Sequence, residues 1–93
     1  MLDRILHRIR RLVLHRQYVV TVHAADELDA DDLTVYDLER IVLTGAIIEK
    51  QRDRQTSESK YRIKGLTING SPAETIVKIS MTQKAVFVTV YAL

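Results

Sequence analysis

The chain has 93 residues, which suffices for one hydrophobic core and is too short for two independent domains. Cysteine is absent, which excludes disulfides, thiolate metal sites and a thiol nucleophile, and no apolar run approaches the roughly 20 residues of a membrane span. The first residues lack the uninterrupted apolar core of a secretory signal. We therefore expect a soluble cytoplasmic domain without a membrane partner.

The net charge of +2 conceals a strong segregation along the chain. Residues 1–22 carry five arginines and one aspartate, and residues 23–39 carry seven acids and no lysine or arginine. Residues 40–93 carry nine basic and four acidic side chains. Such asymmetry steers a polyanion toward one surface. An ordinary mixed, solvated surface fits the same composition equally well.

Apolar residues recur at spacings of three and four in the first segment and predict an amphipathic helix from about Leu2 to His15. The apolar stripe consists of Leu2, Ile5, Leu6, Ile9, Leu12 and Val13. Because a domain this small needs the burial, we expect the stripe to pack in the core. The alternative is pairing with a second copy in a homodimer. A membrane-surface role is disfavoured because the stripe lacks aromatic residues.

The next segment predicts a strand and two helices. Residues 18–22 are rich in β-branched and aromatic side chains and predict the strand, which places His23 at a strand end. Residues 23–30 form a short helix. Thr34 begins a second helix, with Asp37 as the acid of a capping box.

Two glycines accompany the change from helix to sheet. Gly45 fits a helix terminus with positive φ, and Gly65 indicates a β-bulge. Residues 69–72 give a strong turn signal. Four strands are predicted, at residues 46–55, 60–68, 75–81 and 84–91. The fold class is therefore α+β, a single domain over residues 1–93 with N-terminal helices packed on an antiparallel sheet of four to five strands.

Basic side chains alternate along the first two of these strands. The two sets are Lys50, Arg52 and Arg54 on one strand and Lys60, Arg62 and Lys64 on the next. Tyr61 and Ile63 point to the opposite face. A hairpin register that brings both sets to one side creates a basic surface that requires anionic compensation. Phosphates would supply it, and so would Glu49, Asp53 and Glu58.

Metal and cofactor chemistry are poorly supported. His7 and His15 are eight residues apart, whereas a helical metal-binding pair usually has a spacing of four. The acidic segment at residues 26–32 lacks the glycine and the downstream glutamate of a calcium loop. Glycine-rich phosphate loops and the Gly-x-Ser-x-Gly elbow are also absent. We expect neither a metal nor a cofactor.

Several short motifs between residues 18 and 91 have the pattern of a known family. They are His23-Ala24, Glu27-Leu28, Asp31-Asp32-Leu33-Thr34, Leu43-Thr44-Gly45-Ala46-Ile47-Ile48-Glu49, Lys60-Tyr61 and Val88-Thr89-Val90-Tyr91. The pattern resembles a bacterial family of small domains of unassigned function. It is similar to the branch grouped with the RelE, ParE and MqsR-like toxins of type II toxin–antitoxin systems.

The resemblance implies a curved antiparallel sheet with helices on one side and an exposed face for RNA. It also implies a metal-independent endoribonuclease, in which the ribose 2′-hydroxyl attacks the adjacent phosphate with the help of a base, cations and an acid. The residues implied for catalysis are His23, Lys60, Tyr61 and Tyr91. Those implied for RNA binding are Lys50, Arg52, Arg54, Arg62 and Lys64. His23 is the first choice for base or acid because imidazoles exchange protons near neutral pH.

Each role has a plain alternative. His23 could cap a helix or bond within the core, and Tyr61 has the strand parity of a core residue. Glu27 stands where many members of the broader group carry a basic residue, which favours a subfamily whose Glu27 and Asp31 hold arginines through salt links. The implied partners are RNA, with or without the ribosome, and a cognate antitoxin, often of a Cys-x-x-Cys zinc-finger type. Alternative functions are a non-enzymatic toxin that binds a protein such as gyrase, and a non-toxic binding module.

Overall fold

The computed structural model of the protein describes residues 2–93. The described residues form three helices, α1 (Leu2–Leu14), α2 (Val22–Ala30) and α3 (Val35–Thr44). They also form five strands, β1 (Tyr18–Val20), β2 (Ala46–Arg52), β3 (Ser59–Leu66), β4 (Pro72–Ile79) and β5 (Ala85–Ala92). The domain is therefore α+β, with the N-terminal helices that the sequence predicts. None of the helices in residues 2–93 has the length and apolar character needed to cross a membrane.

The five strands make one mixed sheet in the order β1-β5-β4-β3-β2. Strands β2 to β5 form the predicted antiparallel meander. The fifth strand, β1, pairs with β5 in parallel, with Val19 opposite Val86, so the sheet is mostly but not wholly antiparallel. Parallel neighbours need a long crossover connection, and here α2, α3 and three strands separate the pair. Strand β5 is consequently an interior strand between β1 and β4.

The hydrophobic core lies between the sheet and helices α1 and α3. The stripe of α1 enters this core through Leu6, Ile9 and Val13, which confirms that the helix packs within its own chain. Arg10 also turns inward, and its guanidinium donates to the carbonyls of Val42 (3.0 Å) and Gly45 (2.8 Å). These carbonyls lie at the end of α3, where helical partners are missing. Arg10 thus caps α3 and binds it to α1.

Helix caps decide where α2 and α3 begin. Thr21 is the N-cap of α2 and accepts the amide of Ala24 at 3.1 Å, so β1 ends at Val20 and not at the predicted residue 22. The placement of His23 at a strand end is therefore wrong, because it lies in the first turn of α2. The predicted capping box of Thr34 and Asp37 is confirmed. Bonds from backbone amides, first that of Thr34, lower the pKa of Asp37.

The predictions of positive φ at Gly45 and of a β-bulge at Gly65 are both wrong. Gly45 has φ −97°, and β3 pairs with β4 through Gly65 without a change of register. These glycines are needed because α3 and β3 approach closely at this point: a Cβ on Gly65 would lie 2.2 Å from the Ile41 carbonyl oxygen. The irregularities fall elsewhere, where Ile48 in β2 and Val88 in β5 interrupt the pairing registers. Only Gly70, in the predicted turn, has positive φ among the described glycines.

Candidate functional site on the open face of the sheet

The β-bulge at Ile48 divides the predicted basic surface. Beyond it Lys50 pairs with Tyr61 and Arg52 with Ser59, so these two cations point to the helix-covered side. A bulge adds one residue, which moves every later side chain to the other face. Arg54 lies past the end of β2 in the connecting turn. The expected single basic face is therefore wrong.

The opposite side of the sheet carries no helix and is called the open face. Its central side chains are Glu49, Gln51, Lys60, Arg62, Lys64, Glu74, Ile76, Lys78, Thr89 and Tyr91. Most of its cations are paired: Lys60 lies 3.2 Å from Asp53, and Lys78 lies 3.2 Å from Glu58. Backbone amides, first that of Gln55, together with Lys60 lower the pKa of Asp53. Carboxylates therefore compensate much of the positive charge, as one of the sequence alternatives predicts.

A denser cluster surrounds Arg62. Its guanidinium lies 3.4 Å from a Glu49 oxygen and 3.7 Å from a Glu74 oxygen. The Tyr91 hydroxyl donates to Glu74, which is only 8% exposed although it lies on the open face. This hydrogen bond, followed by burial, raises the pKa of Tyr91. The one proton of the hydroxyl is therefore directed at Glu74.

His23 adjoins this cluster through Glu27. In α2 the two residues are four positions apart, and the His23 Nε2 atom lies 3.3 Å from the Glu27 Oε1 atom. The same carboxylate accepts the Thr89 hydroxyl and, at 3.1 Å, the amide of Val90. The imidazole itself is 71% exposed in its side chain. Glu27 thus positions an accessible histidine against β5.

The His23–Glu27 pair and the cluster around Arg62 are neighbours along β5, because Glu27 bonds to Thr89 and the cluster includes Tyr91. Thr89 and Tyr91 are two residues apart on the same face, a separation of roughly 7 Å. Together His23, Glu27, Thr89, Tyr91, Glu74 and Arg62 define what we call the β5 site. It contains an imidazole, a phenol hydroxyl and a guanidinium, the kinds of group that acid–base chemistry on an anion requires.

The acidic residues of α2 have a structural task that the sequence interpretation missed. Beyond β1 the edge of β5 has no strand partner, and its amides of Val90 and Ala92 donate to Glu27 and Asp31 instead. The expectation that Glu27 and Asp31 hold arginines is wrong, since both carboxylates accept backbone amides. Unpaired edge amides are costly when buried. Helix α2 therefore closes this edge of the sheet.

The structure unites some of the predicted site residues and separates others. Arg62 and Tyr91 meet at Glu74, with Lys64 directly opposite Glu74 in β3, and His23 reaches β5 through Glu27 and Thr89. Lys60 lies elsewhere on the open face, paired with Asp53. Tyr61 is buried at 8% exposure in the core, as its strand parity indicates. Lys50, Arg52 and Arg54 are away from the open face for the reasons given above. The RNA and catalytic roles of all these residues stay predictions.

Glu74 and Thr89 belong to the site but were not predicted. Glu74 is the one acid among residues 59–93 and lies in a largely apolar strand. A lone acid in such a strand predicts a bonded partner, because buried carboxylates are rarely unpaired. Thr89 gave no comparable signal. Within residues 2–93, no three histidine, aspartate or glutamate side chains converge as metal ligands.

Comparison with known proteins places the chain in a family. Residues 20–92 match the family described as "Domain of unknown function (DUF4258)". The chain belongs to the DUF4258 family. No curated protein and no solved structure matches it significantly. The DUF4258 match includes the whole β5 site and excludes α1, and the family description assigns no activity.

The raised pKa of Tyr91 predicts a pH dependence of stability. A folded-state pKa above the unfolded value of about 10 means that the unfolded chain releases its proton first. The stabilisation from this hydrogen bond is therefore complete below the unfolded-state pKa of about 10 and is lost as the pH rises through the folded-state pKa. We expect the urea-unfolding free energy of Tyr91→Phe to fall less steeply above about pH 10 than that of the wild type. Tyr36→Phe, at an exposed position in α3, is the control and should follow the wild-type curve; identical curves for Tyr91→Phe would contradict the bond to Glu74.

Proposed function

We propose that this DUF4258 protein is a metal-independent endoribonuclease that acts at the β5 site. The observation that carries the proposal is the exposed imidazole of His23, held by Glu27 against Thr89 of β5, two residues before Tyr91, which shares Glu74 with Arg62. The further proposal, which rests on the sequence resemblance, is a RelE/ParE-like toxin of a type II system. Its partners would be messenger RNA, with or without the ribosome, and a cognate antitoxin of the Cys-x-x-Cys zinc-finger type.

The proposed chemistry follows from the contacts. Glu27 contacts the Nε2 atom of His23, which leaves Nδ1 free to accept the proton of a ribose 2′-hydroxyl. The 2′-oxygen then bonds to phosphorus while the bond from phosphorus to the 5′-oxygen breaks. The Tyr91 hydroxyl gives up its hydrogen bond to Glu74 and transfers its proton to the leaving 5′-oxygen, while Arg62 contacts the charged phosphate. The products are a 2′,3′-cyclic phosphate and a free 5′-hydroxyl.

One observation favours a second candidate. A phosphate must compete with Glu49 and Glu74 for Arg62, because both carboxylates already lie within 4 Å. Cations that are already paired within the chain attract a phosphate less strongly than unpaired ones do. A non-enzymatic toxin that binds a protein such as gyrase, or a non-toxic binding module, is therefore the alternative proposal.

A cleavage assay tests the proposal. Purified protein is incubated in EDTA with a defined messenger RNA, with and without ribosomes, and the cut ends are mapped. We expect discrete cuts with cyclic-phosphate ends for the wild type and a loss of at least about 100-fold for His23→Ala, since general acid–base groups typically contribute that much. His15→Ala, which removes an exposed histidine after α1, should cut normally. Intact RNA from protein that arrests growth on induction would replace the nuclease proposal with the protein-binding one.

A further inference from the structure

Uncompensated positive charge is concentrated on the outer side of α1. Arg4, Arg8 and Arg11 are exposed at spacings of four and three, so they lie along one face of the helix over about 10 Å. No carboxylate in residues 2–93 forms an ion pair with any of the three. Like charges at these spacings destabilise a helix unless an anion compensates them. The open face, in contrast, has acids beside most of its cations.

The bulge at Ile48 enlarges this cationic area. It turns Lys50 and Arg52 to the helix-covered side of the sheet, where α1 packs beside β2. Both side chains are exposed and, within the described chain, have no carboxylate partner. Arg8 lines shallow grooves along α1, one of which also contains Ser59, the pairing partner of Arg52. We call the five side chains Arg4, Arg8, Arg11, Lys50 and Arg52 the α1–β2 surface.

We propose that the α1–β2 surface binds the phosphate backbone of RNA. The choice of RNA rests on the proposed function, whereas the need for a polyanion follows from the charge alone. A membrane is disfavoured because the apolar stripe of α1 is used in the core and cannot insert into lipid. A protein partner is disfavoured because neither α1 nor β2 contains an aromatic residue to serve as an interface anchor.

The arrangement assigns different tasks to different parts of the chain. The β5 site lies inside residues 20–92, the part that matches the family, and α1 lies outside it. The α1–β2 surface would then hold long RNA by charge, without sequence preference, while the β5 site acts on one linkage. Short substrates that reach only the β5 site would not need the α1–β2 surface.

Salt-dependent binding tests the proposal. An end-labelled, unstructured RNA oligonucleotide is titrated with protein in the His23→Ala background over a series of KCl concentrations, and fluorescence anisotropy gives the affinity. Each lost phosphate contact lowers the slope of log affinity against log salt by about 0.7 for single strands. We expect a decrease of about 0.7 for Arg8→Gln and of about 2 for the triple variant Arg4→Gln/Arg8→Gln/Arg11→Gln. Arg40→Gln, at an exposed position on α3, should leave the slope unchanged.

Three controls make the result decisive. The triple variant should unfold at or slightly above the wild-type temperature, because glutamine and arginine have similar helix propensities and the like-charge repulsion along α1 is removed. An unchanged slope in the triple variant would overturn the proposal. Equal competition by polyglutamate would overturn the choice of a phosphate backbone, whereas single-stranded DNA of the same sequence should compete because the proposed contacts are to phosphates. Cleavage of a dinucleotide is measured separately with protein that retains His23. If no cleavage occurs but the triple variant still shows the reduced salt slope, the nuclease proposal is refuted while RNA binding by the α1–β2 surface is supported.

Discussion

Replacing Gly65 with alanine is expected to lower the free energy of unfolding by about 3 kcal/mol or more, the upper end of what overpacking costs. The new Cβ would lie 2.2 Å from the carbonyl oxygen of Ile41 and 3.0 Å from the Cα of Gly45. These are backbone atoms, so no side-chain rotation relieves the clash and α3 must move away from β3. Since small domains have only about 5–15 kcal/mol of stability, this is a large fraction.

Gly70→Ala is the matched control. Gly70 has φ +82° and no heavy atom within 4 Å of the position that a Cβ would occupy, so alanine there meets only the backbone strain of positive φ. That strain costs about 1–2 kcal/mol. Urea unfolding and thermal melting should separate the two variants, since a loss of about 3 kcal/mol corresponds to a fall of roughly 12 °C or more in melting temperature for a domain of this size. Equal losses in the two variants would contradict a close approach of α3 to β3.

Local signals predicted most of the fold because they act within one element. The stripe of α1, the capping box of Thr34 and the turn at Gly70 all depend on residues at most four positions apart. Parallel pairing of β1 with β5 could not be predicted in this way, since Val19 and Val86 meet only after the chain between them has folded. The role of Gly65 likewise depends on a helix more than twenty residues earlier.

The candidate site was predicted in its residues but not in its connections. His23, Arg62 and Tyr91 were identified from residue type and resemblance; the structure joins Arg62 and Tyr91 through Glu74, and His23 to β5 through Glu27 and Thr89. The bulge at Ile48 could not be predicted, because no glycine marks it. Its one extra residue moves the later side chains of β2 to the opposite face, so the basic residues do not share one side of the sheet. Glu27 was interpreted as a partner of an arginine. Its actual role, accepting hydrogen bonds from Thr89 and Val90, could not be predicted because these residues are more than sixty positions away in the sequence.

Glu27 is expected to matter for both stability and cleavage, and its two substitutions should separate these effects. Glu27→Ala leaves the amide of the fully buried Val90 and the Thr89 hydroxyl without their acceptor. Each unsatisfied buried group costs about 1–3 kcal/mol, so we expect a loss of roughly 2–4 kcal/mol in urea unfolding. Asp26→Ala, which removes a neighbouring exposed acid of α2, should leave stability within about 0.5 kcal/mol of the wild type.

Glu27→Gln retains an amide oxygen that can still accept from Val90 and Thr89, but it removes the negative charge beside His23. We therefore expect most of the stability to remain while the cleavage rate in the EDTA assay falls, because a neutral partner stabilises the protonated imidazole less. If Glu27→Gln were as unstable as Glu27→Ala, the negative charge of Glu27, and not only its ability to accept hydrogen bonds, would be needed to stabilise the edge of β5. If Glu27→Gln cleaved RNA at the wild-type rate, Glu27 would be a structural acceptor for β5 alone, and His23 would act without a carboxylate behind it.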